Sequence, residues 1–142
     1  MIELLTSSDP WRRLGYVRAD WEPLLTEPSR ERESHVVCDS TGAFAGIAIV
    51  RPRFLAGDYL EVLAVAPARR GSALGTMLLA EVERVTFARA RNLFVCVSDF
   101  NEGARRFYAR HGYREIGAMP GLLVPGSSEL LLRKTTGPSR QT

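Results

Sequence analysis

The sequence has little of what marks several common classes of protein. Among its 19 basic residues Lys134 is the only lysine, and the arginines are scattered along the chain. Because no basic tract suited to a nucleic-acid backbone occurs, we expect no nucleic-acid partner. No apolar run approaches the roughly 20 residues of a membrane-spanning helix, so we expect no membrane association.

Cysteine and histidine are also scarce. Cys38 and Cys96 stand alone in apolar, strand-like segments without a CxxC pattern, which predicts two reduced core cysteines. His35 and His111 have no partner pattern, so no metal site is predicted. The first five residues lack a basic segment followed by an apolar stretch, which argues against a secretory signal and predicts a cytoplasmic protein.

The length of 142 residues and the 45% hydrophobic, 25% charged composition predict a single domain over 1–142. Residues 1–34 are predicted to be helical or irregular, with one helix beginning at Asp9-Pro10-Trp11 and a break at Pro23. Residues 35–134 carry the regular strand and helix patterns. The polar tail over 135–142 is predicted to be disordered.

Apolar periodicity predicts a mixed α/β (α+β) arrangement. Strands are predicted over 35–38, 44–50, 59–65, 92–98, 113–118 and 129–133, the first two joined by a hairpin. A long amphipathic helix is predicted from Leu74 through Val85, and a second helix over 101–110. The strand–helix–strand order predicts a right-handed crossover between parallel strands.

The junction between the third strand and the long helix favours an anion site. It reads Ala68-Arg69-Arg70-Gly71-Ser72-Ala73-Leu74-Gly75. The first amides of a helix lack intrahelical partners and sit at the positive end of its dipole. Neither GxxxxGK[ST] nor GxGxxG is present. A plain strand–helix turn with surface arginines stays open as the alternative.

Two blocks resemble one family. Val65-x-Pro67-x-x-Arg70-Gly71-x-x-x-Gly75 resembles the acetyl-CoA signature of the GNAT superfamily of N-acetyltransferases, whose core is [RQ]-x-x-G-x-[GA]. The segment from Asn101 to Tyr113 resembles the family's N-x-x-A-x-x-[FL]-Y-x-x-x-G-[FY] block and matches every keyed position. The second block follows the first one helix and one strand later, as in the family. The resemblance covers roughly residues 43–118.

The resemblance implies a GNAT-like fold. This is a twisted mixed sheet of about six to seven strands, antiparallel in its N-terminal part, with one parallel pair at the CoA site and helices on both faces. It implies acetyl-CoA as the cosubstrate, with no metal. In these terms residues 35–134 are the CoA-binding core and 1–34 the substrate side. The implied CoA-binding residues are Leu63, Val65, Arg70, Gly71, Ser72, Ala73, Leu74, Gly75, Thr76, Asn101 and Ala104.

One position departs from the family pattern. Ala73 stands where the first core glycine is usual. We expect its backbone to be helical, because the position lies at the start of the helix, and alanine is then favourable. A positive φ would instead penalise it.

Two side chains are predicted to carry the chemistry. Tyr108 is the candidate donor to the leaving thiolate, by a hydrogen bond, since the pKa of tyrosine is about 10 and that of a thiol about 8.5. Glu61, a carboxylate inside an apolar strand, is the candidate base, with Asp58 a weaker substitute. The backbone N–H of Val65 is implied as donor to the thioester oxygen. Core packing for Tyr108, and solvation or an arginine pair for Glu61, remain alternatives.

The acceptor is open. A protein N-terminus, a lysine, an antibiotic and a polyamine all fit, in a pocket expected between the N-terminal helices and the 119–128 loop. Trp11, Tyr16 and Trp21 are possible walls of it, or core residues. The leading hypothesis is direct acetyl transfer to a primary amine in a ternary complex. The alternatives are a CoA-binding regulatory or partner protein without turnover, and a subunit docking by a strand edge. A homodimer is implied by the family alone.

Overall fold

The structure is a computed structural model that describes residues 1–140, and they fall into two compact units, Met1–Arg30 and a unit that begins at Glu31. The first contains α1 (Ile2–Ser7) and α2 (Arg18–Thr26). The prediction of a helix beginning at Asp9 is wrong, since the chain between the two helices makes turns. The predicted break at Pro23 is also wrong, because this proline lies within α2.

Aromatic packing organises the first unit. The ring of Trp21 lies 5.2 Å from that of Trp11, edge to face, and 5.3 Å from that of Tyr16. Trp21 is 2% exposed, whereas the other two rings are half-buried. Of the three predicted wall residues, Trp21 is therefore a core residue.

The second unit is a six-stranded mixed sheet, as predicted. Its strands are β1 (Glu33–Cys38), β2 (Phe44–Phe54), β3 (Gly57–Val65), β4 (Asn92–Ser98), β5 (Arg114–Pro120) and β6 (Ser128–Thr135). They are arranged in the order β1-β2-β3-β4-β6-β5, and β3–β4 is the parallel pair. Helix α3 (Leu74–Arg89) crosses between them, and α4 (Glu102–Arg110) follows β4. The predicted fold class is confirmed.

Alternation along β3 builds the core on one side of the sheet. Leu60, Val62 and Ala64 are buried, and Leu60 belongs to the same hydrophobic cluster as Leu78 and Val82 of α3. The intervening residues of β3, beginning with Tyr59 and Glu61, are half-buried and lie on the opposite face. β3 therefore presents one face to the core below α3 and the other face away from it.

The parallel pair is short, and this creates an opening in the sheet. Strands β3 and β4 are paired only over Asp58–Leu60 and Leu93–Val95. β3 continues to Val65 paired with β2, and β4 continues to Ser98 paired with β6. The carboxyl ends of β3 and β4 are therefore unpaired with each other. This region is called the β3–β4 opening below.

Three further expectations are corrected or limited. Both cysteines are free, but Cys38 is exposed and Cys96 half-buried, so neither is a fully buried core residue. The predicted disorder of the tail does not extend over its first residues, because the amide of Thr136 donates to the carbonyl of Arg91 at 2.9 Å and Ser139 hydrogen bonds to Asn92. Gln141 and Thr142 lie outside the described residues. Over residues 1–140, no helix has the length and apolar character needed to cross a membrane.

Candidate functional site

The loop that joins β3 to α3 presents backbone to solvent. A 3₁₀ turn over Pro67–Arg69 leads to Gly71 at φ +80° and then to the start of α3. Over the described part of the chain no side chain caps the N-terminus of α3, so its first amides lack a side-chain acceptor. Within the described residues nothing lies within 4 Å of a Cβ built at Gly71. The loop thus offers amide donors and open space to an anion.

Ala73 contradicts the expectation of helical backbone. Its φ is +63° and its ψ 10°, a left-handed conformation at the N-cap of α3. Such a conformation brings the Cβ close to the backbone and is disfavoured for any residue with a side chain. The usual glycine of the family is therefore explained, and alanine carries strain here. Sequence spacing missed this because it does not distinguish the N-cap from the first helical residue.

Arg69 is tied to the β1–β2 turn. Its Nη2 lies 2.5 Å from Oδ2 of Asp39. Hydrogen bonds from Thr41, aided by this one from Arg69, hold the pKa of Asp39 well below its usual range. The guanidinium of Arg69 thus steadies the loop beside the carboxylate rather than pointing freely to a ligand.

The direction of the strand amides matters at the β3–β4 opening. The amide of Ala66 donates to the carbonyl of Ala45 on the β2 side, at 2.8 Å. Because successive amides of a strand point to opposite sides, the N–H of Val65 and, two residues earlier, that of Leu63 point toward the opening. β4 does not reach them there.

The two sequence blocks meet at the start of α3. Gly75 lies against the ring of Phe107, since a Cβ placed on it would lie 3.7 Å from that ring. The Thr76 hydroxyl is 3.3 Å from Nε2 of His111. Asn101 caps α4 by accepting a 3.1 Å hydrogen bond from the amide of Ala104. The structure therefore gives Asn101 a structural role, and its predicted contact with CoA stays a prediction.

Tyr108 is buried among aromatic rings. It is 5% exposed, and its ring stands edge-on to Phe107 and Tyr113 at 5.2 and 5.3 Å. Burial raises the pKa of its hydroxyl, so the group remains a neutral donor. Tyr113 differs, since its hydroxyl donates to Glu83 at 2.9 Å. Within residues 1–140 the Tyr108 hydroxyl has no such partner.

Glu61 is held by two arginines. Arg32 donates through Nε at 2.8 Å and through Nη2 at 3.3 Å, and Arg51 donates at 3.3 Å. The hydrogen bond to Glu61 raises the pKa of the Arg32 guanidinium. Both carboxylate oxygens are engaged, which matches the arginine-paired alternative for this residue.

Asp58 lies on the other side of the sheet from Glu61. It is 2% exposed and accepts hydrogen bonds from Thr86 at 2.9 Å and from Arg89 at 2.6 and 2.9 Å. These partners belong to the last turns of α3, far along the chain from the loop. Asp58 therefore anchors α3 to the sheet and is not near Glu61 as a substitute base.

Sequence reasoning missed a second carboxylate on the Glu61 face. Glu129 lies at the start of the pairing of β6 with β4, directly opposite Ser98, and the Ser98 hydroxyl donates to it at 2.6 Å. It is 5% exposed. The sequence contained a signal for Glu129, because this carboxylate lies next to an apolar strand segment, as Glu61 lies within one. Arg32 gave no signal, since its contact with Glu61 spans 29 residues.

Comparison with known proteins places the chain in a family. The sequence profile of the Acetyltransferase (GNAT) family matches residues 1–113, most of the chain, and the chain belongs to that family. The resemblance read from the two blocks is confirmed. No curated protein matches the chain in sequence.

Solved structures share the fold. An aminoglycoside 6'-N-acetyltransferase complexed with coenzyme A superposes with a TM-score of 0.77 at 19% identity, over 99% of this chain and 91% of that one. A GNAT-family acetyltransferase from Desulfovibrio desulfuricans gives 0.76 at 23% identity, over 96% and 88%. Nourseothricin acetyltransferase gives 0.70 at 23% identity, over 76% and 67%. At these identities the likeness shows the fold.

Proposed function

We propose that this protein is an acetyl-CoA-dependent N-acetyltransferase that acts on a primary amine of a small molecule or protein by direct transfer. The observation that carries the proposal is the β3–β4 opening beside an uncapped helix N-terminus. A strand edge with free amides suits an extended, amide-containing arm. The adjoining helix start suits the pyrophosphate of the same molecule.

Different residues around the opening bind different parts of acetyl-CoA. The amides from Gly71 to Thr76 take the pyrophosphate, with Arg70 adding charge, and the backbone of Leu63 and Val65 pairs with the pantetheine arm. Ala104, half-buried against the hydrophobic cluster, leaves room beside α4. The exposure of residues 67–73 supports this assignment, because a ligand can reach the backbone without moving a side chain.

Transfer needs a donor at each oxygen or sulfur that gains charge. The Val65 amide, directed into the opening, stabilises the thioester oxygen as the amine attacks. The C–S bond then breaks, and the Tyr108 hydroxyl hydrogen bonds to the departing thiolate. The raised pKa of Tyr108 favours this hydrogen bond over complete proton transfer from the ring. The amine must also lose a proton to a base. Glu61 is the candidate that the sequence predicts for this role, and the Glu61→Gln variant, compared with Glu129→Gln, tests whether it or the other carboxylate on this face takes the proton.

The related folds indicate which acceptors to test first. The structural neighbours include enzymes named for aminoglycosides and for nourseothricin, which are amine-bearing antibiotics. We take small molecules with primary amines as the first class to test, with lysine and N-terminal peptides as the second.

Calorimetry and a turnover assay test the proposal in order. Acetyl-CoA is titrated first, and desulfo-CoA serves as a ligand that cannot transfer. Absence of binding at millimolar acetyl-CoA overturns the whole proposal. Thiol release is then measured against aminoglycosides, nourseothricin, polyamines and peptides, with product masses shifted by one acetyl group.

The strained Ala73 favours one second candidate, a CoA-binding regulatory or partner protein without turnover. In the loop between β3 and α3, alanine replaces glycine at a left-handed position, so the backbone is less free to adjust when CoA binds. Saturable CoA binding with no thiol release on any acceptor is the result that would select this alternative.

A further inference from the structure

The sheet face that carries Glu61 holds a second carboxylate in a different chemical setting. Pairing β4 with β6 places Ser98 opposite Glu129, and pairing β3 with β4 places Tyr59 opposite Phe94. Directly opposed residues of a sheet share a face, and alternate residues along a strand share it too. Glu61 and Glu129 therefore lie on one face. Glu61 is on β3, which borders the β3–β4 opening, and Glu129 is on β6, which pairs with β4 on the side away from the opening.

The two carboxylates differ in what they contact. Glu61 accepts three hydrogen bonds from two guanidinium groups, which neutralise it and occupy both its oxygens. Within residues 1–140, Glu129 accepts a hydrogen bond only from the neutral hydroxyl of Ser98 and pairs with no cation. Its second oxygen is open to another donor. A buried carboxylate with one neutral donor lacks a compensating charge.

Within residues 1–140 no ion pair to Glu129 is formed, and Arg105, which donates to the carbonyl of Asp99, is paired with Glu115. Asp99, at the end of β4, engages the amide of Ser128 and raises the pKa of Glu129 further, although burial is the larger cause. Tyr59 and Cys96 share the face and hydrogen bond to each other, and burial raises the pKa of both. Met119 is the partner from β5 and does not ionise. The surroundings as a whole favour a cation beside Glu129.

We propose that Glu129 is the group that binds the acceptor ammonium at the β3–β4 opening and takes its proton, while Glu61 is a positioning residue fixed by Arg32 and Arg51. The proposal rests on the acetyltransferase function proposed above. An ammonium supplies the positive charge that the Glu129 site lacks. Ser98 orients the carboxylate so that its other oxygen faces the incoming nitrogen.

The step balances without any further reactant. One ammonium proton passes to Oε of Glu129, and the freed nitrogen lone pair forms the C–N bond to the thioester carbon. The C–S bond breaks and its electron pair remains on sulfur. The second proton lost by nitrogen goes to that sulfur, which gives the free thiol, and Glu129 later releases its proton to solvent.

The pH dependence of kcat/KM separates Glu129 from Glu61. In the wild type we expect activity to fall at acid pH as Glu129 becomes protonated. Glu129→Gln should remove this limb and lower kcat by about 10²–10⁴-fold, the usual contribution of a general base, with acetyl-CoA affinity unchanged. Glu61→Gln should keep the limb. A limb retained in Glu129→Gln and lost in Glu61→Gln overturns the proposal.

Ser98→Ala provides a second readout that does not remove the carboxylate. Loss of the hydroxyl donor destabilises the ionised form of Glu129, so its pKa rises and the acid limb should move to higher pH. This variant also covers the case in which Glu129→Gln fails to fold. An acid limb that stays in place in Ser98→Ala contradicts the assignment. Absence of thiol release in the wild type would instead overturn the acetyltransferase function, and with it this assignment.

Discussion

The amide of Met77 donates a 3.0 Å hydrogen bond to the carbonyl of Ala73, and so the first turn of α3 closes on a residue with φ +63°. Side-chain-bearing residues are disfavoured in that conformation by about 1–2 kcal/mol. We predict that Ala73→Gly raises the free energy of unfolding by about 1 kcal/mol, because glycine removes the clash but adds freedom to the unfolded chain. Urea unfolding measures it.

Ala80→Gly is the matched control for Ala73→Gly. Ala80 is exposed within α3 and has ordinary helical backbone. Glycine there should lower the free energy of unfolding by about 1 kcal/mol. If both variants are destabilised alike, Ala73 is not strained.

Tyr108→Phe should remove a hydrogen bond that forms only as the thiolate departs. Since the hydroxyl has no partner within residues 1–140, we predict unchanged stability and unchanged acetyl-CoA affinity. The value of kcat should fall by about 10–100-fold, which corresponds to a charge-assisted hydrogen bond of about 1.5–3 kcal/mol. Thiol-release kinetics measure kcat, and calorimetry measures the affinity for acetyl-CoA.

Tyr113→Phe should show the reverse pattern. Its hydroxyl donates to Glu83, which also binds Lys134 at 2.9 Å. Loss of this bond should lower the free energy of unfolding by about 1 kcal/mol and leave kcat unchanged. Equal loss of kcat in both variants would assign Tyr108 to core packing alone.

Asp58→Asn tests the anchor between α3 and the sheet. The carboxylate side chain is 3% exposed and faces Arg89, so removing its charge should lower the free energy of unfolding by about 3 kcal/mol. Thiol release per folded molecule should persist, because this contact lies on the face opposite Glu61. Glu81→Gln, which breaks an exposed pair with Arg84, should cause no resolvable loss. Loss of kcat in a folded Asp58→Asn protein would place Asp58 in the site.

Stability against pH tests the environment of Glu129 independently of activity. Its pKa is raised by burial, so its contribution to the free energy of unfolding is fully present below the ordinary glutamate pKa of about 4.3. That contribution is lost as pH rises through the raised value. The side chain of the Glu129→Gln variant stays neutral. As pH rises from 4 to 7, the free energy of unfolding of this variant, measured with urea, should therefore increase relative to that of the wild type.

Glu33→Gln should change stability with the opposite sign. The hydrogen bond from Arg89 lowers the pKa of Glu33, so its contribution is present above about pH 4.3 and is lost as pH falls through the lowered value. As pH rises from 4 to 7, the free energy of unfolding of the Glu33→Gln variant should therefore decrease relative to that of the wild type. Parallel curves for Glu129→Gln and the wild type would show that burial does not destabilise the Glu129 carboxylate.

Local sequence predicted the elements that carry strong periodicity. The alternation around Tyr59 and Glu61 and the helical spacing from Leu74 reflect which face each residue buries, so both are legible without a structure. The cap of α4, formed by Asn101 and the amide of Ala104, also joins residues that are close in sequence. The predictions of a helix start at Asp9 and of a break at Pro23 were wrong. Asp9-Pro10 resembles the start of a helix but lies in a series of turns, and Pro23 lies within a helix.

By itself, then, the sequence determined the mixed sheet with one crossover pair, and the two ordered blocks determined the family. Only the tertiary structure decided the backbone of Ala73 and the partners of Glu61, since a sign of φ at a junction and a contact across 29 residues leave no periodic trace. It also brought Glu129 of β6 to the face of Glu61. The physical reason is that periodicity reports burial, whereas strand register decides which charges meet.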